Sequence, residues 1–349
     1  MTIFLNVLFL IIGMFLLIKG ADLFVNGASS VANRLKVPTV FIGLTIVALG
    51  TSLPELSVSI ASAISGNIDM SVGNIVGSNL FNMFFVLGCI AILCPVALGK
   101  STSKIDFPFL IAITCALTLF GMDGILDGAS RNILTRTESI VLVVLLVLYL
   151  FILVSNANRT RKRKIKQDMY IRSLNMTDLK EEPEQQEKDL KVWQIIIYLV
   201  LGLSAVVFGG ECVATTAEYL AIQIGMSEAL VGLTVVSFGT SLPELVTSLV
   251  AAKKGESDLA LGNVVGSNII NVSLILGSVG LISQAPISNV ILTDTIILSV
   301  FTMIFIICCL RKKKINRPLG IVFVSMYIAY LLFAIIRNYC FWDFLIYAN

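Results

Sequence analysis

A block of 46 residues occurs twice in this chain, and each copy is embedded in apolar sequence. Sliding the chain by 189 residues lays Gly43–Gly88 over Gly232–Gly277 with 24 of the 46 positions identical. The copies read GLTIVALGTSLPELSVSIASAISGNIDMSVGNIVGSNLFNMFFVLG and GLTVVSFGTSLPELVTSLVAAKKGESDLALGNVVGSNIINVSLILG. Gly13 with Gly202, Gly20 with Gly209 and Ala28 with Ala217 extend the match into the segment before each block. Such a chain has to fold as two related halves, and composition decides the medium. Of 349 residues 57% are hydrophobic, and mean hydropathy is +0.94, too apolar for a soluble domain of this size. Residues 156–192 hold 17 of the 47 charged side chains, which leaves 30 among the other 312 positions. Nearly all of the remainder is predicted to span a membrane.

A bilayer core of about 30 Å takes roughly 20 residues of helix. Ten stretches qualify, starting near Ile3, Pro38, Met70, Phe107, Ser139, Trp193, Glu228, Leu259, Ile291 and Pro318. The first lacks a basic leader and a convincing cleavage site, and its counterpart in the second half makes it a repeat element rather than a signal peptide. The expected fold is an all-α polytopic membrane protein with five spans in each half. An odd number per half makes the second half enter from the opposite face, so the repeat is inverted.

Basic residues sort the loops, because Lys and Arg in short loops favour the cytoplasmic side. One face collects 21 of them, including Arg34, Lys36, Lys100, Lys104, Lys253, Lys254 and Arg317, while the other has three, Arg131, Arg136 and Arg337. The expected arrangement is a multi-pass protein of the cell membrane with both termini outside. Residues 1–155 form the first repeat, 156–192 a charged cytoplasmic tether and 193–349 the second repeat. The tether is too short and polar for a core of its own, and the sequons at Asn158 and Asn175 lie on the wrong side for glycosylation.

Composition also excludes chemistry. The chain has no histidine, which removes Ser-His-Asp and Cys-His nucleophilic sites, His-ligated zinc and haem, and His proton relays. An enzyme is not expected. Seven cysteines without a CxxC pair read as packing residues, with neither a disulfide framework nor a cofactor. The net charge of +3 comes from runs flanking apolar segments, so no nucleic-acid partner is indicated.

Glu55 and Glu244 are repeat-equivalent and fall near the middle of apolar spans, where a carboxylate costs a few kcal/mol or more. Ser52-Leu-Pro-Glu55 and Ser241-Leu-Pro-Glu244 also match a helix capping box, but a cap needs a helix to begin at mid-membrane. Pro54 and Pro243 supply that beginning: each lacks an N–H and clashes with the carbonyl of Gly50 or Gly239 four residues earlier. A helix broken in hydrocarbon is tolerable only around a polar interior. Thr51, Ser52, Thr240 and Ser241 add hydroxyls, and such an oxygen set suits a hard cation. In the following span, Ser78 with Asn82, and Ser267 with Asn271, share a helix face and can complete the site. Asn74, Asn79, Asn263 and Asn268 read as structural, as do the GxxxG pairs Gly73–Gly77 and Gly262–Gly266. Asp22 reads as compensated by Lys19 three residues earlier, and Asp69 and Asp258 as helix-start anions.

With GTSLPE followed by GNIVGSN, and the same pattern again in the second half, the chain resembles the calcium:cation antiporter superfamily, specifically prokaryotic-type sodium/calcium exchangers. The resemblance covers both repeats and all ten spans. It implies secondary active exchange of calcium for sodium at a central site formed by the second, third, seventh and eighth spans. The implied ligands are Thr51, Ser52, Glu55, Ser78, Asn82, Thr240, Ser241, Glu244, Ser267 and Asn271, with the carbonyls of Ala48 and Ser237. It also implies that the first and sixth spans slide to alternate access. Well-studied members have Asp where this chain has Asn271, so two carboxylates remain, enough for one calcium or two sodium ions. The GTSLPE blocks differ from the GNxxE pattern of proton/calcium exchangers, which lowers a proton-coupled or other divalent-cation antiporter to the second reading without removing it, with a cation channel behind both.

Overall fold

The computed structural model of the protein describes residues 3–99, 101–122, 132–175, 190–223, 237–312 and 314–347, with backbone alone for 168, 170–175, 237, 312 and 338–347. The first half runs α1 (Ile3–Leu35), α2 (Thr39–Thr51), α3 (Leu53–Ile64), α4 (Ile68–Leu93), β1 (Val96–Ala97), α5 (Thr102–Phe120), β2 (Ile133–Leu134) and α6 (Arg136–Asn175). The second runs α7 (Val192–Gln223), α8 (Ser237–Thr240), α9 (Leu242–Lys253), α10 (Ser257–Ile282), β3 (Ala285–Pro286), α11 (Asn289–Lys312), β4 (Lys314–Ile315) and α12 (Arg317–Tyr347).

Among the described residues eight helices are long and apolar enough to cross a membrane, and α2 with α3, bent by 46°, makes a ninth. The protein is an all-helical polytopic membrane protein. The seventh expected span starts at Glu228, within residues 224–236, outside the described residues, as are Arg131 and most of the tether's second half. α8 and α9 follow directly.

Two boundaries differ from the sequence reading. α5 starts at Thr102 rather than Phe107, because residues Thr102–Asp106 form a π-helical turn just before Pro108. Wider i→i+5 bonding makes room for a residue with no N–H to donate. α6 runs through Asn175, 20 residues into the expected tether, since residues 156–175 contain no Gly or Pro and are rich in Arg and Lys.

α4 and α10 are the most buried spans and α1 and α7 the least. α1 and α7 pack antiparallel: Gly13 faces Gly209 to Val213, Gly20 faces Gly202 to Val206, and Gly27 faces Leu199. A methyl group on Gly20 would sit 2.7 Å from Ala205 Cβ and 2.9 Å from the Gly202 carbonyl, so close approach requires glycine there. In α10, Gly262 and Gly266 pack on α2, as the GxxxG reading expects. The repeat-equivalent neighbours of Gly73 and Gly77 fall largely in 224–236, outside the described residues.

The turns joining α3 to α4 and α9 to α10 are also equivalent. Gly66 (φ 83°) and Gly255 (φ 81°) take the left-handed conformation. The next N–H, of Asn67 or Glu256, bonds back to Ser62 or Ala251 at 2.8 and 2.9 Å, which closes each helix end. Two short antiparallel pairings tie loops of opposite halves: β1 to β4 through Val96–Ile315, and β2 to β3 through Ile133–Pro286. The six described cysteines are free.

Candidate functional site

The helix breaks at the expected residues. Ser52 (φ −84°, ψ 8°) separates α2 from α3, and Ser241 (φ −94°, ψ 7°) separates α8 from α9. Pro54 and Pro243 occupy the first turn of the new helix, where no N–H is missed. The capping-box geometry is not adopted, for neither serine side chain caps its own helix.

The two breaks exchange side chains instead. Ser52 Oγ donates to Glu244 Oε1 at 2.9 Å, and Ser241 Oγ lies 3.0 Å from Glu55 Oε1 and 3.0 Å from Ser78 Oγ. Ser267 Oγ reaches Glu244 Oε1 at 3.4 Å. Thus the serine of each half binds the carboxylate of the other. Both glutamates are fully buried, as are Asn82 and Asn271, and Thr51, Ser52, Ser78, Ser241 and Ser267 are buried with them.

Four oxygens around the two breaks, two carboxylate and two amide, remain without a protein partner: Glu55 Oε2, Glu244 Oε2, Asn82 Oδ1 and Asn271 Oδ1. A buried carboxylate oxygen left bare is costly, and two such groups side by side more so. Hard cations take carboxylate, amide and hydroxyl oxygens of this sort. No group of three or more His, Cys, Asp or Glu that could hold a metal occurs among the described residues, so a cation bound between these two carboxylates would need neutral oxygens as well. The buried Ala48 carbonyl lies at the same break, whereas only the backbone of Ser237 is described, as the first residue of α8. Thr240 is half-buried and donates to Asn74 Oδ1 at 3.4 Å.

The sequence profile of the sodium/calcium exchanger protein family matches residues 5–155 and 194–336. This chain belongs to the sodium/calcium exchanger family. It is 37% identical over 327 residues to CaxA of Alkalimonas amylolytica, a provisionally named antiporter, covering 93% of this chain and 96% of that one. It is 32% identical over 340 residues to sodium/calcium exchanger MaX1 of Methanosarcina acetivorans, covering 93% and 97%. The solved structure of the sodium-calcium exchanger NCX_Mj soaked with 10 mM Na+ and zero Ca2+ superposes with a TM-score of 0.77 at 29% identity, covering 94% of this chain and 98% of that one. The family is one of antiporters, not of enzymes.

Within this exchanger fold, Asn74 and Asn263 each bond a threonine of the opposite half. Asn263 Oδ1 accepts from Thr51 Oγ1 at 3.1 Å while its Nδ2 donates to Ser248 Oγ at 2.9 Å. Asn74 stands in the same relation to Thr240 and Ser59. Asn271 Nδ2 donates to Asn79 Oδ1 at 3.1 Å, and Asn79 Nδ2 to the Asn268 carbonyl at 3.2 Å. The only signal in the sequence was duplication at the 189-residue offset. Asp22 also differs from expectation: its partner is Lys254, with Nζ 2.6 Å from Oδ1, rather than Lys19. The turn after α9 brings Lys254 alongside α1, and the same ammonium reaches Asn26 Oδ1 at 2.6 Å.

Proposed function

We propose that this chain is a secondary active antiporter exchanging calcium for sodium across the cell membrane by alternating access. The central site is built on Glu55 and Glu244, one carboxylate from each half. Thr51, Ser52, Ser78, Asn82, Thr240, Ser241, Ser267 and Asn271 supply further oxygens, with the carbonyls of Ala48 and Ser237. The observation that carries this reading is the crossed pair of serine–glutamate bonds around carboxylate oxygens with no protein partner. Two carboxylates balance one calcium or two sodium ions, so the ions compete for one charge-neutral arrangement.

The architecture in this proposal is ten spans in two inverted repeats, 1–155 and 193–349, joined by the tether 156–192. Antiparallel packing of the equivalent helices α1 and α7 supports the inversion, and the family match on either side of the tether supports the division. Each strand pairing joins loops that the basic residues assign to one face: β1 and β4 on the Lys-rich side, β2 and β3 on the other. This supports cytoplasmic placement of the tether with both termini outside. α1 and α7 are the least buried spans and meet each other through glycines, which suits a pair that slides.

The test is calcium uptake into proteoliposomes driven by an imposed sodium gradient. Uptake should follow the sodium gradient alone. Uptake driven instead by a proton gradient, or only in the presence of potassium, would replace sodium coupling with one of those.

A further inference from the structure

Thr51 has one hydroxyl proton and acceptors in both halves of the molecule. Its Oγ1 lies 3.1 Å from the Val47 carbonyl, 3.5 Å from the Ala48 carbonyl and 3.1 Å from Asn263 Oδ1. The first two belong to the helix that is about to break. The third belongs to α10 and is 1% exposed. The Ala48 carbonyl already accepts the Ser52 N–H at 3.1 Å; a proton given to Val47 would add a second bond at the break, whereas a proton given to Asn263 turns the O–H toward α10 and so sets the direction of the two lone pairs that Thr51 Oγ1 keeps.

Asn263 is held for this task. Its Nδ2 donates to Ser248 Oγ at 2.9 Å, and Ser248 is fully buried on α9. With the amide nitrogen anchored there, the amide oxygen is presented to Thr51. The same geometry recurs in the other half: Asn74 Nδ2 lies 3.3 Å from Ser59 Oγ, and Asn74 Oδ1 lies 3.4 Å from Thr240 Oγ1. Two occurrences related by the repeat offset make an accidental contact a poor account.

The geometry points to Asn263 and Asn74 as positioning residues for cation exchange, each fixing the hydroxyl proton of the opposite half's threonine away from the ion. This rests on the reading that Thr51 and Thr240 give oxygens to the transported ions. Neither asparagine touches the ion. Each sets the direction of the lone pairs that do, so its effect belongs in the half-saturating ion concentration rather than in the maximal rate.

A double-mutant cycle on calcium uptake by reconstituted full-length protein tests it. Thr51→Val and Asn263→Leu should each raise the half-saturating calcium concentration about fivefold, the worth of one net hydrogen bond, with maximal rate changed less. The double variant Thr51→Val/Asn263→Leu should be no worse than Thr51→Val alone, since the asparagine then has no hydroxyl to orient. Thr240→Val/Asn263→Leu should multiply the separate effects. Multiplication in the Thr51 pair as well would overturn the inference and make Asn263 a packing residue. If Thr51→Val leaves the half-saturating concentration unchanged, Thr51 is not a ligand, and the site reading falls before this one. Ser248→Ala repeats the cycle without altering Asn263, and coupling to Thr51 is expected there too, so the test survives if Asn263→Leu fails to fold.

Discussion

At the scale of residues, Glu55 and Glu244 are fully buried, and each holds one oxygen on a serine of the other half and one on nothing in the protein. Glu55→Gln and Glu244→Gln remove a charge while keeping nearly the same shape. Breaking a buried charge pair costs about 3–5 kcal/mol, so sodium-driven calcium uptake should fall by more than roughly a hundredfold in each. Thermal unfolding in detergent should shift little, because Gln Oε1 still accepts the serine proton. Retained transport together with a large loss of stability would make the glutamates structural. These carboxylates were legible in the sequence because an acid amid apolar residues demands a reason. The crossing of their partners was not, since Ser52 and Glu244 are 192 positions apart and a local capping box was the nearer explanation. Asp22 illustrates the same limit: helical spacing offers Lys19, and only tertiary packing brings Lys254 to 2.6 Å.

At the scale of elements, a break and a contact shape the fold around the site. The break at Ser52 was predictable, because proline chemistry acts over four residues and is visible locally. The π-turn before Pro108 and the continuation of α6 to Asn175 were not, since both depend on how a helix relaxes around one residue or outlasts its membrane segment. The contact is the α1–α7 seam. A Cβ on Gly20 would meet Val206 N at 2.8 Å and the Gly202 carbonyl at 2.9 Å, and backbone atoms cannot step aside as a side chain can. Gly20→Ala should therefore push α1 off α7 and cost about 1–3 kcal/mol, the range for overpacking a tight site. A fall in the thermal midpoint of the detergent-solubilised protein measures it. An unchanged midpoint would show that the seam is loose enough to absorb a methyl group. Duplication made these glycines legible as a pair in the sequence, but not as partners, because Gly20 faces Gly202, the counterpart of Gly13.

For the whole molecule, orientation and ion count are the properties that no single contact carries. In the proposed orientation, which rests on the uneven distribution of Lys and Arg, the tether is cytoplasmic, so a Lys188→Cys variant in intact cells should resist an impermeant thiol reagent added outside and react only after permeabilisation, with the unsubstituted chain as background. Labelling from outside would invert the whole arrangement. Ion count follows from charge. With Asn at 271 the proposed site offers two carboxylates, which one calcium or two sodium ions would neutralise, and a third sodium would add uncompensated charge in a medium that screens it poorly. Asn271 also donates from Nδ2 to Asn79 Oδ1 at 3.1 Å, a bond that an ionised aspartate cannot make, so Asn79 would have to turn its amide to follow the change. Exchange by the unmodified protein should accordingly be near electroneutral, and Asn271→Asp should raise the Hill coefficient for sodium and make exchange electrogenic. Reversal potentials measured on both proteins decide the matter. If the unmodified chain already moves three sodium ions per calcium, neutral oxygens such as Asn82 Oδ1 and Asn271 Oδ1 carry the third ion without a carboxylate, and charge neutrality is not what limits the site.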